Sequence, residues 1–572
     1  MNKYLPFILF FIGQNAFAQI TPYEKGNKLV TTTYTEAIAF YQKIDQQSTQ
    51  VKMLTMGTTD ANEPLHLVLV SSNGKFDATQ WHKEHKTVLL INNGIHPGEP
   101  DGIDACMLLV RDIATKKIVL PSNVCLAIIP VYNIGGSLNR SKNYRVDQNG
   151  PEEFGFRGNS QNLDLNRDFI KCDSREARSF AEIFHLLDPD IFVDNHVSNG
   201  ADYQHVMTLI ATQHNKLGGG MDTYLNTIFK NGIYNNMAQY GYNLVPYVNF
   251  FGETPEQGWT EFYDSPRYST GYTTLWHTFG FVPETHMLKP YYQRVDATYK
   301  LMQSFINFST TNGLQLQQIR AVAKAEDLTK KTFTIDWVLD KTVVDSITFM
   351  GYESGKKPSL LTGQDRLYYN RTKPFTKKIP FYNNYVTNIE VAKPLAYIIP
   401  QGWWKVIELL KINQVKMYQF KKDDLLNVGY YNILEYKANA TPYENHHSNG
   451  TIKVTKSTKM VQFRKGDYYI PLNQNANRFL IETLEPQAKD SYFAWNFFDG
   501  ILGQKEGYSD YVFEETALQI LKENEGLKNA FEAKKQTDQK FAKDGAAQLD
   551  YIYKNSKYFE PAYMQYPVYS VY

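Results

Sequence analysis

The residues best suited to chemistry lie on a loop between a predicted strand and a predicted helix. His96 and Glu99 occupy that loop, an apolar run, 87–91, precedes it, and an apolar-periodic segment, 103–113, follows it. The run predicts a buried strand and the periodic segment a helix. A histidine and a carboxylate three residues apart can bind one metal ion together, which leaves places for a third ligand and for water. Because an H-x-x-E pair is common by chance, this prediction depends on finding the third ligand.

His196 is the candidate third ligand, because it directly follows a short buried strand, 191–193. The carboxyl ends of strands in an open α/β sheet lie along one edge, so His196 and His96 are expected on the same rim. Two histidines and Glu99 suit a zinc ion that keeps one open position. Taken alone, a histidine at a strand end more often only makes hydrogen bonds.

Glu284 is the candidate proton carrier, since it follows the short apolar segment 280–283. A carboxylate near a zinc-bound water can take its proton and pass that proton to a leaving amine. The alternative is an ordinary surface glutamate. His286, two residues further on, lies on the same face of an extended segment and competes as a metal ligand.

The polar loop 156–169 offers groups that recognise anions. An arginine such as Arg167 can hold a carboxylate through two parallel hydrogen bonds, and the neighbouring Asn166 can add another. The alternative is a surface ion pair between Arg167 and Asp164 or Asp168.

The elements that carry these residues alternate between strand and helix from 88 to 284. This pattern predicts an α/β domain with a mixed, mostly parallel sheet flanked by helices. A helix over 292–308 closes the domain, and Ser, Thr, Asn and Gly at 309–313 indicate a boundary. We therefore expect a signal peptide at 1–18 and a catalytic domain at 19–312. Residues 313–572 are expected to form a β-rich C-terminal accessory region of unknown role with a helical tail.

Composition limits the classes of partner. The 572 residues include 60 Lys and Arg against 59 Asp and Glu, so the charge balance suggests neither nucleic acid nor an acidic membrane surface as a partner. We expect no membrane span, and the oligomeric state is open. Three cysteines, Cys106, Cys125 and Cys172, cannot all pair, and buried free thiols are expected.

The first residues have the pattern of an export signal. Lys3 precedes an apolar stretch, 5–12, and an A-x-A site at 16–18 precedes Gln19. This order is typical of a cleaved secretory signal. The mature chain is therefore expected to be soluble and either periplasmic or secreted.

Taken together, the motifs resemble the zinc metallocarboxypeptidases of the carboxypeptidase A/B type, the funnelin group. The similar pieces are H-P-G-E at 96–99, R-G-N-S-Q-N-L-D-L-N-R-D-F at 157–169, His196 and Glu284, in the family's order. They extend across roughly residues 34 to 308. The middle motif is most similar to the regulatory N/E/D branch of that group.

The resemblance implies a metal centre. His96, Glu99 and His196 would bind one zinc ion per chain. Asp164 would accept a hydrogen bond from the free ring nitrogen of His96 and fix its tautomer.

The resemblance also implies roles for the remaining residues. Glu284 would be the general base and then the general acid, and Arg157 would stabilise the oxyanion. Asn166 and Arg167 would hold the terminal carboxylate of the substrate. Tyr268 is the choice for the family's mobile tyrosine, which closes over the substrate.

The predicted function is removal of C-terminal residues from peptides by zinc-activated water. Three alternatives remain open: a cell-wall peptide amidase, an N-acyl amino acid deacylase, and a non-catalytic binding protein on the same fold. The residue that sets side-chain preference is not identified by the sequence.

Overall fold

The computed structural model describes residues 20–248, 250 and 253–572, and these form two compact units. The first unit contains the described residues up to 393 together with 409–415 and 473–481. The second contains 394–408, 416–472 and 482–572. The predicted signal peptide at 1–18 lies outside the described residues.

Helices and strands occur throughout the described chain. The helices are α1 (Pro22–Lys25), α2 (Tyr34–Gln47), α3 (Ala78–Lys83), α4 (Asp101–Ala114), α5 (Ile134–Leu138), α6 (Arg175–Leu187), α7 (His214–Leu217), α8 (Gly219–Tyr224), α9 (Lys230–Gln239), α10 (Ser269–Thr274), α11 (Tyr291–Thr329), α12 (Trp404–Ile412), α13 (Asn477–Leu484), α14 (Asp510–Glu523), α15 (Glu525–Thr537), α16 (Gln539–Ala542) and α17 (Gly545–Lys554). The strands are β1 (Val51–Thr58), β2 (Pro64–Ser71), β3 (Thr87–Asn92), β4 (Val124–Ile129), β5 (Arg140–Ser141), β6 (Phe154–Gly155), β7 (Ile191–Asp194), β8 (His196–Ser198), β9 (Met207–Ala211), β10 (Trp259–Thr260), β11 (Phe279–His286), β12 (Thr332–Leu339), β13 (Asp345–Pro358), β14 (Asp365–Tyr382), β15 (Tyr385–Ala392), β16 (Ala396–Ile399), β17 (Tyr418–Gln419), β18 (Asp424–Ala438), β19 (Asn449–Phe463), β20 (Tyr468–Pro471) and β21 (Tyr569–Val571).

An eight-stranded sheet forms the centre of the first unit. Its order is β1-β2-β4-β3-β7-β11-β8, with β9 paired to β11. Neighbours from β4 to β8 run parallel, whereas β1, β2 and β9 pair antiparallel. The mixed, mostly parallel sheet flanked by helices confirms the predicted fold class.

Burial of the central strands explains why they form. Every residue of β3, β4 and β7 is buried, as expected for parallel strands covered on both faces. One apolar core joins these strands to α4, α9 and α11. On the strongly amphipathic helix α6, Ser174 is the N-cap and accepts a hydrogen bond from the Ala177 amide at 3.1 Å. The prediction of three buried free cysteines is confirmed.

The long helix α11 differs from the prediction. The sequence indicated an end at residue 308, but the helix continues to Thr329 and contains the whole predicted boundary, 309–313. Gly313 allows close packing, because a Cβ at this position would collide with the Thr87 side chain on β3. The first compact unit also includes β12–β15. The division of the chain at residue 312 stays a prediction.

The second unit contains a six-stranded sheet with the order β17-β20-β16-β21-β18-β19. It also contains α14–α17, so the predicted helical tail is present. Strand β19 is continuous and pairs along its length with β18. Among the described residues, no helix combines the length and the apolar character needed to cross a bilayer.

Candidate active site

The carboxyl ends of β3, β7 and β11 meet at one edge of the sheet, and the predicted metal ligands converge there. In register, Asn92 at the end of β3 lies beside Asp194 at the end of β7. His96 and Glu99 follow β3, and His196 begins β8 immediately after β7. One ligand atom from each of the three residues lies within 4.8 Å of the others, and all three side chains are buried.

The detailed contacts suit a divalent cation. His96 Nδ1 lies 3.3 Å from Glu99 Oε1, and His196 Nδ1 lies 3.0 Å from Glu99 Oε2. Tetrahedral zinc with bonds of about 2.1 Å would separate its ligand atoms by about 3.4 Å. Buried His96 Nδ1 has no hydrogen-bond partner in the described part of the chain, as expected of an atom that binds a metal. The residues therefore fit zinc, which His96, Glu99 and His196 would hold.

The outer nitrogen of each histidine ring contacts a carboxylate. His96 Nε2 lies 2.8 Å from Asp164 Oδ1, and His196 Nε2 lies 3.2 Å from Asp194 Oδ2. The contact with Asp164 directs His96 Nδ1 toward Glu99 and fixes the orientation of that ring. The His196 ring is held instead through Nδ1, which lies 3.0 Å from Glu99 Oε2, and its Nε2 makes no hydrogen bond within the described part of the chain. Asp164 is thus where the resemblance implied it would be.

Glu284 lies directly opposite His196 on the neighbouring strand, because the two residues are register partners between β11 and β8. Burial raises the pKa of Glu284 to about 8, and Glu99 adds to this effect while His196 opposes it. A carboxyl group with this pKa needs a nearby positive charge to be ionised at neutral pH.

His286, the competing ligand, is not in the metal cluster. Its Nε2 lies 2.8 Å from the Ala201 carbonyl oxygen, and its Nδ1 accepts a hydrogen bond from the Leu288 amide at 3.1 Å. Both ring nitrogens are therefore used by the backbone.

The anion-binding residues of the 156–169 loop line the same cleft of about 360 Å³. Arg157 donates to Asp164 Oδ2 through Nε at 3.0 Å, and its Nη1 lies 3.6 Å from Glu99 Oε1. The Arg167 guanidinium lies 4.6 Å from the Tyr268 ring centroid. Buried Asn166 Oδ1 has no hydrogen-bond partner among the described residues.

The alternative reading of Arg167, an ion pair with Asp164, is at most a weak contact, because Arg167 Nη1 lies 3.9 Å from Asp164 Oδ2. Asp168, the other carboxylate considered, is buried and bonds Lys171 and Ser174. Tyr268 packs its ring against the guanidinium, and this contact orients Arg167 toward the cleft.

Arg145 is a cleft residue that the sequence did not reveal. Its Nη1 donates to Glu99 Oε1 at 2.7 Å, its Nη2 to the Val197 carbonyl at 2.9 Å, and its Nε to Gln148 Oε1 at 2.6 Å. A Cβ at Gly98 would lie 2.7 Å from Arg145 Cδ, so glycine makes room for this side chain. The arginine sits in a polar loop without a motif, so no local pattern distinguishes it.

Tyr247 is a second cleft residue that the sequence did not reveal. It lines the cleft together with Phe262 and Tyr268. Burial and the nearby Glu284 carboxyl raise the Tyr247 pKa well above its usual value. Its position near Glu284 makes Tyr247, and not only Tyr268, a candidate for contact with substrate.

Positive groups keep two of the site carboxyls ionised. Burial by itself would raise the pKa of Glu99, but Arg145 and His96 hold that pKa well below its ordinary value. Burial likewise opposes ionisation of Asp164, and His96 and Arg157 reverse the effect and lower its pKa. Glu99 and Asp164 are therefore carboxylates at neutral pH, as a metal ligand and its supporting acceptor need to be.

Residues 37–243 match the sequence model of the zinc carboxypeptidase family. The matched range includes His96, Glu99, His196 and the 157–169 loop, and it ends before Glu284. Together with the buried His–Glu–His cluster, the match identifies this part of the chain as a zinc metallopeptidase. No curated protein matches the chain.

Several solved structures match part of the chain at low similarity. A metallo-carboxypeptidase from Burkholderia cenocepacia is 14% identical, with 49% of this chain and 70% of that chain covered and a TM-score of 0.35. A metallo-carboxypeptidase from Pseudomonas aeruginosa, solved with (2-guanidinoethylmercapto)succinic acid, is 12% identical, with coverage of 50% and 70% and a TM-score of 0.38. Carboxypeptidase A from Helicoverpa armigera is 13% identical, with coverage of 51% and 74% and a TM-score of 0.35. Similarity at this level says nothing about the substrate.

Proposed function

We propose that the chain is a zinc-dependent metallocarboxypeptidase that removes C-terminal residues from peptides. The observation that carries the proposal is the convergence of the His–Glu–His cluster, Glu284 and Arg167 in one cleft. The family match supports the metal and the reaction class. Assignment to the N/E/D branch rests only on the resemblance of the 157–169 motif.

In the proposed mechanism, each residue acts from its observed position. When bound, zinc would polarise the scissile carbonyl and acidify water. Glu284 accepts the proton of the attacking water and delivers it to the leaving amine. Arg157, half-exposed at the cleft, donates hydrogen bonds to the oxyanion that develops on the carbonyl oxygen.

Arg167 and Asn166 would bind the C-terminal carboxylate of the substrate. The Tyr268 ring holds one face of the guanidinium, which reduces the conformational freedom lost when a carboxylate binds. Asn166 would donate a hydrogen bond from its Nδ2 to the same carboxylate. Because Arg167 and Asn166 would bind a terminal carboxylate, they favour cleavage at the C-terminus of a peptide over cleavage within the chain.

The test compares peptides of one sequence with a free or an amidated C-terminus. We expect one zinc per mole and at least about tenfold higher kcat/KM for the free acid, since a hydrogen bond to a charged group contributes about 1.5–3 kcal/mol. Arg167→Gln should abolish most of this preference, whereas Lys324→Gln, outside the cleft, should leave it unchanged. Equal cleavage of both peptides by the wild-type chain would contradict the proposal.

The same assay separates the alternatives. An N-acyl amino acid and a cell-wall peptide are added as substrates, each with a carboxylate near the scissile amide. Faster turnover of either one would favour deacylase or amidase chemistry. Zinc binding without turnover of any substrate would favour a non-catalytic binding protein.

We propose further that the cleft prefers a neutral C-terminal side chain over lysine or arginine. Val282 lies two residues before Glu284 on β11 and pairs with Ile210 on β9. Both side chains line the cleft, where they form an apolar surface. Among the described lining residues, Glu99 and Glu284 are the acidic ones, and both have other roles. Peptides that differ only in their last residue test this proposal, and faster release of arginine than of leucine would contradict it.

Export also stays a proposal, supported by the sequence pattern at 1–18. Expression of the full chain followed by N-terminal sequencing of the exported fraction tests it. A mature chain that begins at Gln19 is expected. A chain retained inside the cell with an intact N-terminus would contradict export.

A further inference from the structure

The hairpin formed by β13 and β14 has a fixed base and a free outer part. At the base, Gln204 Nε2 donates to the carbonyl oxygens of Gly351 and Phe375 at 2.8 and 2.9 Å. Phe349 and Phe381 belong to a buried apolar cluster of the first unit. The ladder then continues outward to the Pro358–Asp365 pair. The base therefore fixes the direction in which the tip points.

The tip carries two adjacent leucines in full contact with solvent. Leu360 is 106% exposed and Leu361 is 94% exposed, the highest values among the exposed large apolar side chains of the described residues. Single exposed apolar residues are ordinary on protein surfaces. Two neighbours at the end of a hairpin form an apolar tip that the described residues of its unit leave exposed.

A group of cations lies directly behind this apolar tip. Lys356 and Lys357 end β13, and Arg366 faces Lys357 in the ladder. All three side chains are exposed. From 345 to 382 the hairpin has seven Lys and Arg against three Asp and Glu, although the whole chain has a net charge of only +1. The overall charge balance therefore conceals a positively charged hairpin.

We propose that this hairpin tip docks on a membrane surface rich in anionic lipid, with Leu360 and Leu361 inserted and the cations against the phosphates. Leu360 lies in the turn, three residues after Lys357 at the end of β13, so the two groups are at most about 10 Å apart along the chain. This separation corresponds to the distance that apolar groups enter past the headgroups of a bilayer, which is about 5–10 Å. Apolar insertion and electrostatic attraction are the two signals that together give stable interfacial binding.

A lipid surface fits the tip better than a protein partner or a second copy of the chain. The apolar residues form a convex end and not a groove, and a flat, deformable surface accepts a convex end without a shaped pocket. Between 356 and 366 the three cations Lys356, Lys357 and Arg366 outnumber the single carboxylate, Asp365, so the segment behind the tip keeps a net positive charge that suits a phosphate surface. Association with a second copy is a separate outcome of the test.

The test measures partitioning of the full chain onto vesicles of phosphatidylcholine, with or without about 30% phosphatidylglycerol. Binding to the anionic vesicles is expected, and it should weaken at high salt. Lys356→Gln/Lys357→Gln should weaken partitioning about 25-fold, at about a fivefold loss for each lysine. Leu360→Ser/Leu361→Ser should weaken it by at least about tenfold.

The control is Leu425→Ser/Leu434→Ser, which removes two exposed leucines of β18 that do not form a tip. This control should bind vesicles as the wild-type chain does, and all variants should cleave a soluble peptide at the wild-type rate. Absence of binding to anionic vesicles, or equal binding by the tip variant, would overturn the proposal. A tip variant that changes only the oligomeric state in gel filtration would assign the tip to a second copy instead. Because the peptidase assay is separate, failure of vesicle binding leaves the proposed function untouched.

Discussion

Glu176 is expected to make the free energy of unfolding depend on pH, and it is linked by hydrogen bonds through Asp60 to the loop that contains Arg157. It lies in the first turn of α6, is fully buried, and accepts a hydrogen bond from the Asp60 amide at 3.2 Å. Asp60 Oδ2 in turn accepts hydrogen bonds from Asn159 at 3.0 Å and Gln161 at 2.7 Å. Burial, together with the Asp60 carboxylate, raises the pKa of Glu176 from 4.5 to about 7.

The direction of the effect follows from proton binding. Because the folded state holds the Glu176 proton more tightly than the unfolded state, its contribution to stability is complete below pH 4.5 and is lost as pH rises through about 7. The two pKa values correspond to a difference of about 3 kcal/mol in the free energy of unfolding. Glu176→Gln carries a neutral group at every pH and keeps an acceptor for the Asp60 amide.

The assay is urea unfolding of the wild-type chain and the variant between about pH 5 and pH 8. We expect the two chains to be similar near pH 5 and the variant to be more stable by about 2–3 kcal/mol near pH 8. Glu182→Gln, at an exposed position on the same helix, is the matched control and should follow the wild-type chain. A stability difference between wild type and Glu176→Gln that is the same at both pH values would refute the reasoning.

Three further predictions concern the cleft. Glu284→Gln should retain zinc and lower kcat by about 10²- to 10⁴-fold, measured by metal analysis and steady-state kinetics; near-normal kcat would require another base. Asp164→Ala should weaken zinc binding by about 10- to 100-fold in competition with a chelator, because His96 would lose the acceptor that orients its ring, and unchanged affinity would dismiss this role. Gly98→Ala should displace Arg145 and lower kcat/KM by roughly tenfold, while the adjacent substitution Pro97→Ala serves as the control.

Local patterns predicted the elements that carry the site. The apolar run before His96 forms β3, and the helix predicted after it forms α4. These features depend on burial and hydrogen bonding within a few residues, which the sequence records directly. The position of His196 at the end of a buried strand was predictable for the same reason.

Other features of the fold depend on distant contacts. The residues at 309–313 have the composition of a break, yet α11 continues through them because Gly313 packs against Thr87 on β3. Pairing of β18 with β19 was not evident from either segment alone. In both cases packing against a remote element outweighed local propensity.

The sequence by itself determined which groups are available for the proposed chemistry, because the two histidines, Glu99, Glu284 and the arginine loop are defined by residue type and by their position in the chain. The tertiary structure alone decided how those groups are held: Arg145 between Glu99 and Val197, and Tyr268 against Arg167. It also decided that two leucines at 360 and 361 are left in solvent beside a group of cations. The physical reason is that the type of each residue is a local property of the sequence. The orientation and exposure of its side chain depend on which distant segments the folded chain brings into contact.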